Sequence, residues 1–596
     1  APATRGGHGR GAQRAPVAPR VAGPSARLIP TTGNTLSDTT DAPALRIIPL
    51  GGVGEIGKNM YVVEHDDRIV VIDCGVTFPG PDQPGVDLIL PDMTWLAENR
   101  ERIDALILTH GHEDHIGAVP WFLRAVGPVP IYGTRFTLAL VRGKLDEHRL
   151  LGEAEMIEIA AGEPRRRIGP FEAEFLRVTH SIPDCVAVAL HSPAGTLVHT
   201  GDFMFDHLPI GGPDKASDIP GLARLGAEGV LVLLADSTNA DVPASAKRYE
   251  ASVGPAMSAL FATSPGRVIV TTFSSHIDRM QQVVDAAYRD GRVVGVVGRS
   301  MVRNVAIARN LGYLKAPDGV IISDKEIAGV PDDELVLLTT GSQGEPLSAL
   351  RRMANGAHPK VDIKPGDTVV YSSRRIPGNE LAIDETINRL VAAGATVVTP
   401  DDRPEVHASG HGVRDDLMWM LQLIRPRFFA PIHGEVRHQK AHAALARGLG
   451  IGERTVILEN GDVLEVSADG VVTGERVESG ITYVDSYGVN DLGEGVLRDR
   501  RHMSEDGLVL VMVQIDTHDG TLSGTPEVVT RGFAGAEDEA MISAIRETVV
   551  ASLRESAEEH IHEVDVLTKQ LHDAVGALIN RKTRKRPVIL PVVVEV

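Results

Sequence analysis

Short apolar runs alternate with amphipathic stretches along most of this chain, and their spacing predicts a succession of strands and helices. Ile69-Val70-Val71-Ile72 and Ala105-Leu106-Ile107-Leu108 are continuous apolar runs of strand length, and residues 174–178, 195–199 and 428–432 also read as strands. Between the last two, residues 267–272 and 292–297 read as strands, with helical periodicity through Met280-Gln281-Gln282-Val283-Val284 and again from 300 to 311. That rhythm predicts a parallel-sheet domain inserted into the chain. Farther on, Val456-Ile457-Leu458 and Val463-Leu464 are predicted short strands around the turn Glu459-Asn460-Gly461-Asp462. A polar stretch near 474–500 reads as a linker. The chain then predicts a strand at 507–516, helices at about 537–554 and 564–580, and a final strand at 587–596. Residues 1–42 show no periodicity. They are rich in Gly, Pro, Ala and Arg with no acid before Asp38, and read as a disordered basic arm.

Composition narrows the class. With 596 residues the chain is long enough for three domains, and 43% hydrophobic content marks a soluble globular protein. Two cysteines, Cys74 and Cys185, exclude a disulfide framework and suit a reducing cytoplasm. No apolar run reaches the roughly 20 residues of a membrane span. A net charge of -20 argues against a surface broadly adapted to polyanions, so any nucleic-acid contact must be local.

The densest chemistry lies directly after the second apolar run, in Thr109-His110-Gly111-His112-Glu113-Asp114-His115-Ile116-Gly117. A buried strand would fix where this loop begins, leaving His110, His112, Asp114 and His115 to offer two pairs of ligands, as a two-metal site requires. Imidazole with carboxylate suits zinc, with manganese the main competitor. One short loop cannot surround two ions, so more ligands must come from distant strand ends. His180 follows the strand pattern at 174–178, Asp202 follows 195–199 behind a glycine that would let it bridge two ions, and His433 follows 428–432.

With Asp73 at the end of Ile69-Val70-Val71-Ile72, these motifs resemble the metallo-β-lactamase superfamily. The resemblance implies an α/β fold, two sheets sandwiched between helices in αββα order, with one metal on His110, His112, His180 and bridging Asp202, and the other on Asp114, His115, Asp202 and His433. Asp73 would orient the ligand loop. About 230 residues separate Asp202 from His433, and this insertion carries Asp236-Ser237-Thr238-Asn239, Phe273-Ser274-Ser275-His276, Gly298-Arg299-Ser300, Thr339-Thr340-Gly341-Ser342-Gln343-Gly344-Glu345, Ile376-Pro377-Gly378-Asn379-Glu380 and His407-Ala408-Ser409-Gly410-His411. The set resembles the nucleic-acid-processing β-CASP branch, and within it the ribonuclease J family. The match departs at Phe273-Ser274-Ser275-His276 and at Arg374-Arg375.

The resemblance implies a basic arm at 1–42, a discontinuous metallo-β-lactamase domain at 43–240 and 412–475, a β-CASP domain at 241–411, a linker at 476–498 and a small α/β domain at 499–596 that supports a homodimer or homotetramer. Catalytic roles fall to Asp114, Asp236 and His411. Candidate substrate contacts are His407, Ser409, Gly410, His411, Arg299, Ser300, Ser342, Ser274 and His276, where backbone N–H groups beside glycine and the Arg299 guanidinium suit phosphate. The implied activity is metal-dependent 5'-to-3' exonuclease and endonuclease cleavage of single-stranded, preferably 5'-monophosphorylated RNA, in RNA decay and maturation. Two divalent ions, zinc first with manganese or magnesium as alternatives, would activate water for attack on the phosphodiester. An RNA helicase or other degradosome component is the implied protein partner, with the cytoplasm as location and no membrane contact. The rival readings are a DNA-preferring nuclease of the same branch, a small-ester hydrolase on the same metal core, and a nucleic-acid scaffold without catalysis. The insertion speaks against the hydrolase, and the full complement of competent ligands against the scaffold.

Overall fold

The computed structural model describes residues 44–80, 83–376, 378–485, 488–489, 494–518, 520–533 and 539–596. The basic arm expected at 1–42 and Pro377 lie outside these residues.

Two sheets pack face to face. In the first, Leu45–Gly51, Met60–His65 and Arg68–Ile72 run antiparallel, and Ile103–Ile107, Ile131–Thr134 and Met156–Ile159 continue in parallel from the last of them. Leu464–Val466 and Val471–Thr473 complete its other edge. The second sheet has the order Phe428–Ile432, Val232–Asp236, Gly195–His199, Val186–Ser192, Phe171–Arg177, Arg166–Ile168. Alternate side chains such as Val70, Ile72, Phe175, Val188, Leu234 and Ala430 fill the space between the sheets. The residues between them, such as Ile69, Val71, Leu106 and Leu233, face outward into a second core built with helices such as Val119–Val126, Arg135–Glu147, Ile219–Glu228 and Arg414–Ile424. Strands buried on both faces have no polar side, which is why they read as unbroken apolar runs.

The insertion leaves the second sheet at Asp236 and returns at Phe428. Its own sheet is wholly parallel, ordered Ile321–Ile322, Val293–Val297, Leu335–Thr339, Val268–Thr271, Thr368–Tyr371, Thr396–Val398. The strands on either side of the insertion are immediate neighbours, with Asp236 opposite Ile432. Exit and re-entry therefore share one sheet edge.

At the C-terminal end, Glu527–Arg531, Leu508–Ile515 and Val588–Glu595 form a three-stranded sheet covered on one face by the helices Glu539–Glu558 and Val564–Thr583. Two sequence expectations change here. The stretch expected to be a linker contains the strand Ile481–Asp485, paired antiparallel with Leu88–Pro91, and Leu497 of the next helix packs on Val86 and Ile89. The β-branched and aromatic run Ile481-Thr482-Tyr483-Val484 is a strand signal that the polar average of its surroundings hides. Conversely, Val456-Ile457-Leu458 is no strand: the Val456 N–H donates to Phe429 O at 2.8 Å, and both Val456 and Leu458 are buried, but no ladder follows.

Beyond Ile72 the chain runs directly beneath the His/Asp loop. Cys74 N–H donates to His115 O at 2.7 Å and Asn59 N–H to Asp114 O at 3.0 Å. Gly75 lies so close that a Cβ there would sit 1.6 Å from Asp114 O. Gly75→Ala should therefore destabilise the protein by about 3 kcal/mol, since neither the strand nor the loop has room to move. Thermal unfolding checks this, and an unchanged midpoint would show that the loop yields freely.

Candidate metal centre

Five strand ends and one loop converge at an edge of the two-sheet core. Asp73 follows Arg68–Ile72 and adopts φ 62°, a left-handed conformation that costs energy in any residue with a Cβ. This turns its fully buried carboxylate toward the neighbouring strand end, where it accepts the Thr109 N–H at 2.8 Å, the Thr109 hydroxyl at 2.9 Å and the His115 Nδ1–H at 2.7 Å. One carboxylate thus holds both ends of the ligand loop.

The first ligand group contains His110, His112, His180 and Asp202. His112 Nδ1 lies 3.1 Å from His110 Nε2 and 3.0 Å from His180 Nε2, and Asp202 Oδ2 is 3.6 Å from each of the latter two nitrogens. The second contains Asp114, His115, Asp202 and His433. Here His115 Nε2 is 3.2 Å from Asp202 Oδ2, and His433 Nε2 is 3.2 Å from Asp114 Oδ2. Asp202 belongs to both groups.

The donor set fits a pair of cations, and the outward-facing nitrogens say why. His180 Nδ1–H donates to Gly410 O at 2.7 Å, and His115 Nδ1–H donates to Asp73. His110 Nδ1 lies 3.0 Å from the Thr109 hydroxyl, whose own proton goes to Asp73, so the imidazole supplies the hydrogen. In the first group the inner nitrogens are left with lone pairs aimed at one another. Burial holds His110 and His180 well below the ordinary imidazole range and His112 at about 4, so no proton relieves that repulsion in the first group. In the second group burial is outweighed by carboxylates: Asp202, Asp114 and Asp236 raise His433 to about 10, and Asp202, Asp114 and Asp73 raise His115. One group lacks an electron-pair acceptor and the other a positive charge. A divalent cation supplies both.

A third overlapping group joins Asp202, Asp236, His411 and His433. His411 Nδ1 lies 2.8 Å from Asp236 Oδ2, while its Nε2 faces Asp202 Oδ2 at 3.9 Å. Burial works against the charged form of His411, but Asp236 and Asp202 hold its imidazole above the ordinary range. Its side chain is 21% exposed against 1% for His180 and 3% for His433, so among these rings it stands at the mouth of the site.

Sequence reasoning missed several supports. The Thr238 hydroxyl donates to Asp236 Oδ1 at 2.7 Å and accepts from His433 Nδ1 at 2.8 Å, repeating across the site what Thr109 does between His110 and Asp73. Asn239 Nδ2 donates to Ser409 Oγ at 2.9 Å and His411 O at 3.0 Å, fixing the turn that carries His411. Asn59 Nδ2 donates to Asp114 O at 3.1 Å. Thr238 and Asn239 stand inside a motif already singled out for Asp236. Asn59 carries no such signal.

The expected substrate contacts divide. Ser409, Gly410 and His411 adjoin the metal ligands, and a Cβ at Gly410 would come within 2.7 Å of the His180 ring. His407 lies 3.4 Å from the buried Arg279 guanidinium. His276 is a correction: it is buried with Nε2 3.4 Å from Glu250, inside an ion cluster with Arg279, and serves the interior of the insertion. Ser274 O accepts from Asn304, Arg299 is exposed at the start of the helix Arg299–Leu311, Ser300 is half-buried, and Ser342 is buried. Among the described residues no hydrogen bond or ion pair joins these four to the metal ligands.

Four family models match the chain: the metallo-β-lactamase superfamily over 53–235, the ribonuclease J β-CASP domain over 265–390, the Zn-dependent metallo-hydrolase RNA specificity domain over 404–458 and the ribonuclease J C-terminal domain over 495–596. Ribonuclease J of Thermus thermophilus is 44% identical over 557 residues, covering 92% of this chain and 95% of that one. Ribonuclease J of Mycolicibacterium smegmatis is 41% identical over 553 residues, covering 93% and 97%, and ribonuclease J2 of Bacillus subtilis is 40% identical over 557 residues, covering 93% and 99%. With its two-sheet core, its parallel-sheet insertion and its C-terminal α/β domain, the chain belongs to the ribonuclease J family, in the β-CASP branch of the metallo-β-lactamase superfamily.

Proposed function

We propose that this protein is a metal-dependent ribonuclease that hydrolyses phosphodiester bonds of single-stranded RNA, both from the 5' end and internally, in RNA decay and maturation. The observation that carries the reading is the doubled ligand group around Asp202, with His411 paired to Asp236 at its mouth. His110, His112, His180 and Asp202 would hold one ion and Asp114, His115, Asp202 and His433 the other, with zinc the first choice for this imidazole-rich set. Bound there, two divalent ions supply Lewis acidity for a phosphate oxygen and lower the pKa of water.

The chain's own groups do the rest. His411, whose charged form Asp236 favours, contacts the scissile phosphate and gives its Nε2 proton to the departing 3'-oxygen as water adds to phosphorus. Asp236, an acceptor throughout, stabilises the charged imidazole, and the proton released by the attacking water restores the one His411 gave up. Backbone N–H groups at Ser409-Gly410 hold the adjoining phosphate, where glycine permits close approach. Thr238 fixes the His433 ring, and Asp73 with Thr109 fixes the other side.

Self-association is proposed through the C-terminal sheet. Its uncovered face pairs Leu510 with Leu590 and Met512 with Val592, and Leu590, Val592 and Val594 are exposed on an edge strand. An open apolar edge of that length is what an isologous dimer closes. Among the described residues no helix is long and apolar enough to cross a membrane.

Three outcomes are expected. Incubated with 5'-monophosphorylated, 5'-triphosphorylated and 5'-hydroxyl RNA and matching DNA, the metal-loaded protein should degrade RNA, preferring the monophosphate, and His112→Ala should abolish it. RNA that survives, or that is lost equally with His112→Ala, would sink the proposal. Thr238→Val removes the hydrogen bonds to Asp236 and from the His433 ring without replacing a ligand, and should lower metal affinity or turnover by about 10- to 100-fold. Elemental analysis after dialysis against a chelator, together with steady-state rates, tests that. Finally, Val592→Asp should shift the mass measured by light scattering toward the monomer, and an unchanged mass would place the contact elsewhere.

A further inference from the structure

Two segments leave the metal centre side by side. One follows Asp202 and the other follows His411, and they are tied where Gly412 N–H donates to Phe203 O at 2.7 Å and the Asp416 carboxylate accepts from Phe205 N–H at 3.3 Å. A few residues on, both present aromatic rings at the surface. Trp419 is 47% exposed, His207 is exposed 5.9 Å away, and half-buried Tyr249 lies 6.0 Å beyond His207. Phe205 is buried beneath Trp419 at 6.2 Å, with Phe203 behind it at 5.5 Å.

The helix Arg414–Ile424 does not need this tryptophan for its core. Its buried positions are Asp416, Leu417, Met420, Leu421 and Ile424, and Trp419 lies on the opposite side, where a polar residue would ordinarily stand. Single exposed hydrophobic residues are commonplace, but three rings in a row on a buried aromatic base are not explained by packing. Cationic groups stand on the same segments: Lys247 Nζ lies 5.1 Å from the Tyr249 ring centroid, Arg248 adjoins Tyr249 in sequence and Arg414 begins the helix that carries Trp419. Arg248 bonds only to backbone carbonyls and Arg414 approaches only the Ala240 carbonyl, so among the described residues neither guanidinium is paired with a carboxylate, although Asp415 adjoins Arg414 in sequence. Exposed rings with guanidinium groups on the same segments suit unstacked bases and the phosphates between them.

We propose that Trp419, with His207 and Tyr249, is a stacking surface for a base of the RNA strand outside the catalytic site. The inference rests on the ribonuclease reading. Five residues link Asp202 to His207, so the His207 Cα lies within about 18 Å of the Asp202 Cα. At the roughly 3.4 Å rise of a stacked strand, His207 then stands at most about five nucleotides from the cut.

The test measures RNA affinity in the His112→Ala background, with turnover measured in the active protein. Trp419→Ala should weaken binding of a ten-nucleotide RNA by about tenfold and cut the affinity gained on lengthening a trinucleotide to ten, while Trp419→Phe keeps most of that gain. A single abasic site moved along the ten-nucleotide RNA should reproduce the loss at one position outside the catalytic site and leave the other positions unchanged. At that position the abasic site should cost Trp419→Ala nothing further. Losses that add, or no loss at all, overturn the stacking surface while leaving the ribonuclease intact. A changed oligomeric mass with RNA affinity unaltered overturns it in favour of a protein contact. Wild-type protein that neither binds nor cuts RNA overturns the functional reading, and this inference with it.

Discussion

The parallel register between Val232–Asp236 and Phe428–Ile432 is the constraint on which the rest depends. About 190 residues of chain lie between these strands, yet backbone hydrogen bonds set Asp236 opposite Ile432 and so bring His433 beside Asp236 and Thr238. Loop closure over that length is costly in entropy only logarithmically, so the insertion can be large without straining the site. A slip of two residues in this pairing would keep the apolar face inward but carry His433 away from Asp114. Geometry at the second ligand group is therefore a property of the sheet, and the insertion contributes from its ends, through Asn239 and the Ser409-Gly410-His411 turn.

Within that frame the two halves of the centre solve one problem in the same way. Each must hold imidazole rings with lone pairs inward while burying carboxylates that oppose one another. On one side Thr109 accepts from His110 and donates to Asp73, and on the other Thr238 accepts from His433 and donates to Asp236. A hydroxyl can do both at once, and neither a carboxylate nor an amide side chain could do so with one atom. The aspartates remain acceptors throughout, so the tautomer of the ligand histidine is determined by a residue that touches no metal. Burying these carboxylates is unfavourable on its own. The cost is offset by hydrogen bonds now and by cation binding, which makes metal affinity part of the stability of the fold.

How far the sequence reveals this follows from where each residue gets its role. The His110-to-His115 loop is legible because its ligands are local and the preceding strand is unbroken apolar sequence. His180, Asp202 and His433 are legible as polar residues at strand ends. Thr238 and Asn59 act only through partners brought near by sheet register, and register has no signature in a single sequence. His276 misled for the opposite reason: a histidine in a Ser-Ser-His turn after a strand looks exposed, but Glu250 and Arg279 draw it inward. The strand Ile481–Asp485 was hidden by its polar neighbours, and its pairing with Leu88–Pro91 attaches the chain after the first domain directly to that domain.

A net charge of -20 remains to be reconciled with a polyanionic substrate. Phosphate contacts alone would have to work against that field, and their strength falls steeply with salt. Two divalent ions bound as proposed would reverse the local sign at this centre, but screening weakens their reach beyond about 8 Å at physiological ionic strength. Beyond that distance a strand must be held by something the field does not weaken. Stacking on an aromatic ring meets the requirement, because its energy comes from contact and desolvation and not from net charge. The exposed ring of Trp419, beside His207 on the segment that follows Asp202, offers such a contact. An acidic surface then discourages nonproductive binding elsewhere, and the strand is guided by contacts that operate only once it lies along the path to the metals.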